Sequence, residues 1–413
     1  KSLEFLKQYT KKIREPFLLR RASILKTESL ELIGDKDLAK KTITDQIKLK
    51  PHPDLYLAYA NLLDDYEQKT EWINKALRRF NLSEINIENN DNDSRLYDCI
   101  EVKAIKNSGY DGLKYKPKVT VIIPVYNAEE VIRTSIESML SQTWKNLEII
   151  VVDDCSSDST TEIVEEYAKK DSRVKLIELE KNGGAYVARN VALNSATGEF
   201  ITINDADDWS HPEKIEIQAT HLINNPKYMG NMSQQVRATN DLSFYRRGKP
   251  GQYIFGNMSS FMFRREEVLS KLGYWDSVRF GADSEFIKRI RKVFGEKSIV
   301  ELETGPLSFQ RFSESSLTGN SAFGFPGYFM GARKEYLEAQ TSFHSSANPE
   351  DLKYSFPQVK RPFPVPEPML PTRETNQSGR RHFDVIMVSD FRLDGGSTMS
   401  SIEEIKAQKQ MGL

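Results

Sequence analysis

Apolar residues change their spacing along this chain at Lys118. Val119-Thr120-Val121-Ile122-Ile123 runs without alternation, the mark of a strand buried on both faces. Leu147–Val152, Val174–Leu179 and Phe200–Ile203 continue the series. Between these runs the spacing becomes helical. Val131, Ile132, Ile136, Met139 and Leu140 form one stripe, Ile163, Val164 and Tyr167 another, and Ala188 and Ala192 follow Asn182-Gly183-Gly184. Asn127, with Glu130 three residues on, is placed to cap the first of these helices as in a capping box. Alternating strands and helices with continuous apolar strands predict an α/β fold built on a mostly parallel, doubly wound sheet. Ligands bind such sheets outside the carboxyl ends of the strands. Polar residues gather at those ends: Pro124, Tyr126 and Asn127; Asp153 and Asp154; the Gly-Gly turn; Asp205 and Asp207.

The flanks differ. Residues 1–96 read as polar helices, with Asp37 to Lys48 and Pro53 to Phe80 as a hairpin carrying Leu55, Leu57, Leu62, Trp72, Ile73 and Leu77. This rhythm resembles one tetratricopeptide-like unit, and such arrays need about three repeats to stand alone. A helical appendage is therefore expected, packed on its neighbour or on another subunit and offering a surface for homo-oligomers. Asn89 to Lys116 reads as a linker, and residues 97–340 as the central domain. Gly327 to Gln340 reads as helical. In residues 341–380, Pro349, Pro357, Pro362, Pro364, Pro366, Pro368 and Pro371 predict a stiff extended linker rather than core. Residues 381–413 bring one more buried strand, Phe383–Ser389, then a Gly395-Gly396 loop and a helix to Met411.

Composition narrows the function classes. The 413 residues are 38% hydrophobic and 28% charged with a net charge of -1, so nothing draws the chain to nucleic acid by bulk charge. Cys99 and Cys155 form no disulfide or metal-ligand pattern, which suits a reducing, cytoplasmic location. No run approaches the roughly 18 apolar residues of a membrane span. Peripheral association with the inner membrane face stays open. The chain opens on Lys1-Ser2-Leu3, which is no signal peptide and reads as a trimmed start.

The sharpest chemistry lies in Asn204-Asp205-Ala206-Asp207-Asp208-Trp209, where an apolar strand drives into three carboxylates. Crowded carboxylates repel one another and resist desolvation. A hard divalent cation such as Mg²⁺ or Mn²⁺ relieves both penalties. The alternative is an acidic turn in which Asp208 or Ser210 caps a helix beginning near Pro212. No G-x-G-x-x-G or P-loop signature accompanies it.

Two stretches, VTVIIPVYNAEEVIRTSIESMLSQTWKNLEIIVVDDCSSDST and NGGAYVARNVALNSATGEFITINDADDWSHPEK, closely resemble the family 2 glycosyltransferases, whose nucleotide-sugar domain has the GT-A fold. The resemblance runs from about Lys118 to Thr318, with Cys155 where that family usually has Gly. It implies that Pro124, Tyr126 and Asp154 line the pocket for a uridine-type base, and that Arg189 favours the anionic nucleotide. Turn capping is the alternative for Asp153 and Asp154, and a surface position for Arg189. Asp205-Ala206-Asp207 is the family's D-x-D: Asp207 on the metal, Asp205 beside the nucleotide, and Asp208 capping or bracing the next helix. Family members carry Glu-Asp after a G-x-(Phe/Trp)-Asp turn; here Gly273-Tyr274-Trp275-Asp276 precedes Ala282-Asp283. Asp283 is the implied base, N-capping its alternative, and Glu285 the reserve. Ser259, Ser260, Trp275 and Asp276 would face the acceptor, with Phe261 and Phe263 equally suited to core. A His is usual near Phe309–Thr318; none stands there, and Arg311 is the candidate for the diphosphate. His52, His211, His221, His344 and His382 lack ligand spacing and read as structural.

The resulting expectation is a metal-dependent, inverting glycosyltransferase. It would use a nucleotide-diphosphate sugar, UDP-linked by resemblance, with Mn²⁺ or Mg²⁺. Its acceptor would be a glycan, a polyol-phosphate or a lipid-linked molecule, in surface polysaccharide or teichoic-acid-like synthesis. The βα unit at 381–413 resembles the opening of a second transferase domain of the GT-B type, which implies a natural chain continuing past Leu413. Rivals are a catalytically silent nucleotide-sugar module and a sugar nucleotidyltransferase.

Overall fold

The computed structural model describes residues 2–12, 14–88, 95–105, 114–246, 248–312, 331–371, 387 and 396–411. The expected strand at Phe383–Ser389 (Met387 apart), Ser315–Thr318 and His382 lie outside the described residues. Residues 1–371 form one compact unit and 372–413 a second.

Five helices open the first unit: α1 (Ser2–Lys12), α2 (Pro16–Leu32), α3 (Lys36–Leu49), α4 (Pro53–Asn61) and α5 (Tyr66–Arg78). Their starts follow local chemistry. Pro16 and Pro53 occupy first turns, where no amide hydrogen is needed. Asp35 accepts from the Leu38 amide at 3.2 Å and Asp65 from the Gln68 amide at 2.8 Å, satisfying orphan donors. A short ribbon pairs β1 (Asn86–Ile87) with β2 (Ile100–Glu101).

The expected alternation follows: β3 (Val119–Val125), α6 (Ile132–Leu140), β4 (Leu147–Asp153), α7 (Thr160–Lys170), β5 (Val174–Glu178), α8 (Ala185–Ser195) and β6 (Phe200–Ile203). These strands lie in the order β5-β4-β3-β6, all parallel. Both faces are covered, which is why the runs do not alternate. Ile122, Ile150, Ile201 and Ile203 pack with Ala188 and Ala192 of α8. Val121, Ile123, Ile149 and Val151 pack with Ile132 and Ile136 of α6. Each of these Ile and Val side chains contributes about 1.5–3 kcal/mol on burial.

Beyond β6 come β7 (Trp209–Ser210), α9 (Lys214–Asn224), β8 (Gly230–Ala238), β9 (Phe244–Tyr245), β10 (Phe255–Gly256), β11 (Met262–Arg264), α10 (Arg265–Leu272), α11 (Ala282–Phe294), β12 (Ile299–Arg311) and α12 (Ala332–Ser346). The sheet continues β6-β11-β8-β12-β7 and becomes mixed, because β11 runs antiparallel to both neighbours while β12 is parallel to β8. The α-helical start packs on this second half. Ile24, Ile43, Leu57, Ile73 and Leu77 share one cluster with Val236, Phe244, Leu307 and Phe309. In the second unit the described element is α13 (Gly396–Gln410).

Three expectations are corrected. Asn127 does not cap α6: it adopts φ +46°, and α6 begins five residues later, after Val131. Its Oδ1 instead accepts from the Ser157 amide at 2.8 Å, tying the loop after β3 to the loop after β4. The stretch expected as a linker before Lys118 holds a 3-10 turn, Leu96–Cys99, whose Tyr97 is fully buried. The Pro-rich stretch is partly core rather than linker throughout. Leu352, Tyr354, Phe363 and Met369 are buried with Trp275 and Phe286, because the residues between the prolines are large and apolar.

Candidate active site

The turn after β6 is built around Asn204. Its Nδ2 donates to Ser135 Oγ at 2.9 Å and to the carbonyl oxygens of Asp205 and Asp208. Its Oδ1 accepts from Ser210 Oγ at 2.7 Å and Lys214 Nζ at 3.2 Å. A buried amide saturated in this way holds the loop in one shape. Asp208 is buried, and Oδ1 accepts from the Arg311 amide at 3.0 Å. It thus braces β12 rather than α9, which is preceded by Glu213. Burial pushes the Asp207 carboxyl up to about 6, helped by the neighbouring Asp205 charge. Burial, then Asp207 and Asp205, push Asp208 well above the usual carboxylate range. Burial also lowers Lys214 to about 8.

Two cavities meet on this turn. One, of about 630 Å³, is lined by Pro124, Tyr126, Asn127, Glu129 and Arg95. The other, of about 370 Å³, is lined by Tyr186, Arg189, Met258, Ser259 and Asp283. Ala185, Asp205, Asp207 and Arg311 line both.

Arg189 ties the two carboxylate groups together. Its Nη2 lies 3.1 Å from Asp205 Oδ1 and its Nη1 2.5 Å from Asp283 Oδ1, with a side chain only 5% exposed. The guanidinium stacks over the Tyr186 ring at 4.8 Å. The Tyr186 hydroxyl donates to Asp283 Oδ2 at 2.7 Å. Burial and the Asp283 charge keep that phenol well above its ordinary range, so it remains a donor. Gly281, not Asp283, precedes α11 as its cap residue, which leaves the Asp283 carboxylate to these side chains and the cavity.

Asp154 is buried and spoken for. Its Oδ1 accepts from the Gly183 amide at 2.7 Å and its Oδ2 from the Gly184 amide at 2.8 Å. It holds the turn that starts α8, and Asp153 likewise accepts from the Ser156 amide at 2.8 Å. Gly184 adopts φ +88°, and a Cβ there would sit 2.9 Å from the Arg279 Cα, so both conformation and space require glycine.

The acceptor-side expectation splits. Ser259 lines the smaller cavity. Ser260, Trp275 and Asp276 do not reach it, being interior. Ser260 Oγ accepts from the Ser233 amide at 2.9 Å. Trp275 is 1% exposed and packs on Phe263 and Phe286. Asp276 accepts from Tyr336 and Arg361, each at 2.8 Å. Glu285 is fully buried between Arg289 and His344, a structural carboxylate. Arg311 stands at the junction of the cavities, held by Asp98 and Asn240 and stacked over Tyr97. Tyr186, Tyr97, Asp98 and Lys214 escaped sequence reasoning. Tyr186 could have been found, since it lies three residues before Arg189 on one helix face. Tyr97 and Asp98 sit in a polar stretch with no periodic signal.

Residues 120–282 match the model of the Glycosyl transferase family 2. The chain is 44% identical over 109 residues to the putative teichuronic acid biosynthesis glycosyltransferase TuaG of Bacillus subtilis (strain 168), covering 26% of this chain and 43% of TuaG. It is 47% identical over 100 residues to the putative glycosyltransferase EpsH of the same organism, covering 24% of this chain and 29% of EpsH. Glycosyltransferase GlyA of Streptococcus pneumoniae is 44% identical over 99 residues, 24% of this chain and 14% of GlyA. The chain thus spans less than half the length of each of these relatives. Among solved structures, S. aureus TarS aligns over 48% of this chain and 37% of its own, with 26% identity and a TM-score of 0.39. Residues 120–282, which carry Asp154, Arg189, Asp205 and Asp207, are thus similar to the family 2 glycosyl transferases.

Proposed function

We propose that the chain moves a sugar from a nucleotide-diphosphate sugar, UDP-linked, to a hydroxyl of a glycan, polyol-phosphate or lipid-linked acceptor, with inversion. The observation that carries this reading is the meeting of two cavities on Asp205 and Asp207, with Asp283 on the smaller one alone. The larger cavity would take the nucleotide, with Tyr126 and Pro124 against the base. Asp154 contributes by fixing the turn ahead of Ala185, so that the amino-terminal end of α8, with its partial positive charge, faces the junction where the diphosphate would lie. Arg311 stands on the same wall.

The donor set fits a divalent cation. Asp207 is a half-buried carboxylate whose proton affinity is raised by burial and by Asp205, an energetic strain that a cation relieves. Among the described residues no three His, Cys, Asp or Glu side chains form a closed cage. Mg²⁺ and Mn²⁺ do not need one, since one or two carboxylates, substrate phosphates and water complete an octahedron. Bound at Asp207, the cation would neutralise charge on the departing nucleoside diphosphate.

Asp283 would accept the acceptor hydroxyl's proton. Arg189 and Tyr186 fix its orientation, leaving lone pairs toward the cavity. One base and no enzyme nucleophile give direct displacement, hence inversion. The relatives' names support a role in surface polysaccharide synthesis. Among the described residues no helix is long and apolar enough to cross a membrane.

The test is release of nucleoside diphosphate from a panel of nucleotide sugars with Mn²⁺, with and without acceptors. Asp207→Asn should abolish metal-dependent donor binding. Asp283→Asn should keep donor binding and lose transfer by about 10²–10⁴-fold. Equal loss of donor affinity in both variants would overturn this division of labour, and binding without release under all acceptors would leave a silent nucleotide-sugar module.

A further inference from the structure

We infer that Asp98, from the segment ahead of the family 2 domain, is a positioning residue for the donor diphosphate, acting by locking the Arg311 guanidinium at the junction of the two cavities. The inference rests on the transferase reading above and adds a component that lies outside the matched residues 120–282.

Arg311 is the last residue of β12, and its amide is fixed on Asp208 Oδ1 at 3.0 Å. Its Nε donates to the carbonyl oxygen of Asp207 at 3.3 Å. Its Nη1 donates to Asp98 Oδ2 at 3.1 Å and to Asn240 Oδ1 at 2.9 Å. Its Nη2 donates to Asp98 Oδ1. A guanidinium has five N–H groups. Four are thus spent on this fork, and one Nη2 hydrogen remains without a partner among the described residues. The Tyr97 ring lies beneath the guanidinium at 4.0 Å, closing the other face.

Such a cation cannot swing. An anion at the junction, next to Asp207, meets a fixed charge whose ordering entropy has already been spent. Asp98 is what completes the fork. Its side chain is 25% exposed against 3% for Arg311, and Thr134 of α6 donates to the same Oδ1 at 2.5 Å. The 3-10 turn bearing it is equally anchored: the buried Tyr97 hydroxyl donates to the Phe309 carbonyl and accepts from the Trp209 amide at 2.9 Å. One short turn therefore clasps β12, β7 and α6 around the arginine. Arg95, from the same stretch, lines the larger cavity and steadies Asp98, its Nε lying 3.2 Å from Asp98 Oδ2.

The test uses the full chain, titrated with UDP and with uridine in the presence of Mn²⁺. Asp98→Asn keeps the shape and removes the charge. It should weaken UDP binding about tenfold and leave uridine binding within twofold. Arg311→Gln should weaken UDP comparably, and the double variant should lose nothing more, since the effect passes through one arginine. Thr134→Val, which removes one hydrogen bond to Asp98 and leaves the Arg95 pair in place, should weaken UDP severalfold and serves if Asp98→Asn fails to fold. Unchanged UDP affinity in folded variants, or equal losses for UDP and uridine, would overturn the inference. If the wild-type chain binds no UDP at all, the donor reading itself fails and takes this inference with it.

Discussion

Asp154→Asn separates two roles for one carboxylate. In the structure each oxygen of Asp154 serves one backbone amide, Gly183 at 2.7 Å and Gly184 at 2.8 Å, at a site only 4% exposed. Burial raises the carboxyl above its ordinary value, and the two amides and Arg279 pull it back only in part. Asparagine preserves the shape but has one acceptor oxygen, so its NH₂ must face a second N–H. One charge-assisted hydrogen bond, worth about 1.5–3 kcal/mol, is lost and a buried amide is left unsatisfied at about 1–3 kcal/mol. Allowing for relaxation, the turn should be weakened by about 2–4 kcal/mol. At about 1.4 kcal/mol per tenfold, hydrogen exchange at Gly183 and Gly184 should accelerate by roughly thirtyfold to several-hundredfold. Donor affinity should fall with it, because Ala185 and the start of α8 follow this turn. Unchanged exchange with donor binding lost would refute the turn-holding account and make Asp154 a direct nucleotide contact.

Glu148 supplies a pH test. Burial alone would raise its pKa, but Lys175 at 2.6 Å, the Thr197 amide and Thr120 outweigh it and bring the carboxyl from 4.5 down to about 2. A depressed folded-state value means the stabilisation is complete above about pH 4.5 and is lost as pH falls toward about 2. Glu148→Gln should flatten the stability curve in that window, and an unchanged acid-unfolding profile would contradict it. Arg289→Met should cost about 3–5 kcal/mol in guanidinium unfolding, since it leaves the buried Glu285 carboxylate with His344 as its remaining ion-pair partner. It also removes the donor to the carbonyls of Leu272, Leu352 and Tyr274. A loss below about 1 kcal/mol would show that this hub is not what joins α11 to the Pro-rich stretch.

Much of the parallel half of the sheet was legible because a strand covered on both faces tolerates little but β-branched and aliphatic residues. The runs at Val119, Leu147, Val174 and Phe200 therefore mark their own boundaries to within a residue or so. The carboxylates after β6 were legible for the opposite reason, since charge at the end of an apolar run has few structural uses. Local chemistry misled where a residue had two ways to satisfy itself. Asn127 could cap a helix by its spacing, yet its left-handed backbone and the Ser157 amide took it elsewhere. Ser260, Trp275 and Asp276 have the chemistry of a sugar site but fill the interior between β11, α11 and α12.

By itself, then, the order of apolar runs determined an α/β sheet with its polar edge at Pro124, Asp154, Asp205 and Asp207. The tertiary structure alone decided how the edge is wired. Arg189 reaches a carboxylate 94 residues away, and Arg311 one 213 residues away in a stretch that reads as linker. Periodicity reports which face of an element leaves water. It says nothing of which distant charge will be the nearest neighbour of a buried arginine, because that choice is made only when the whole chain competes to satisfy it.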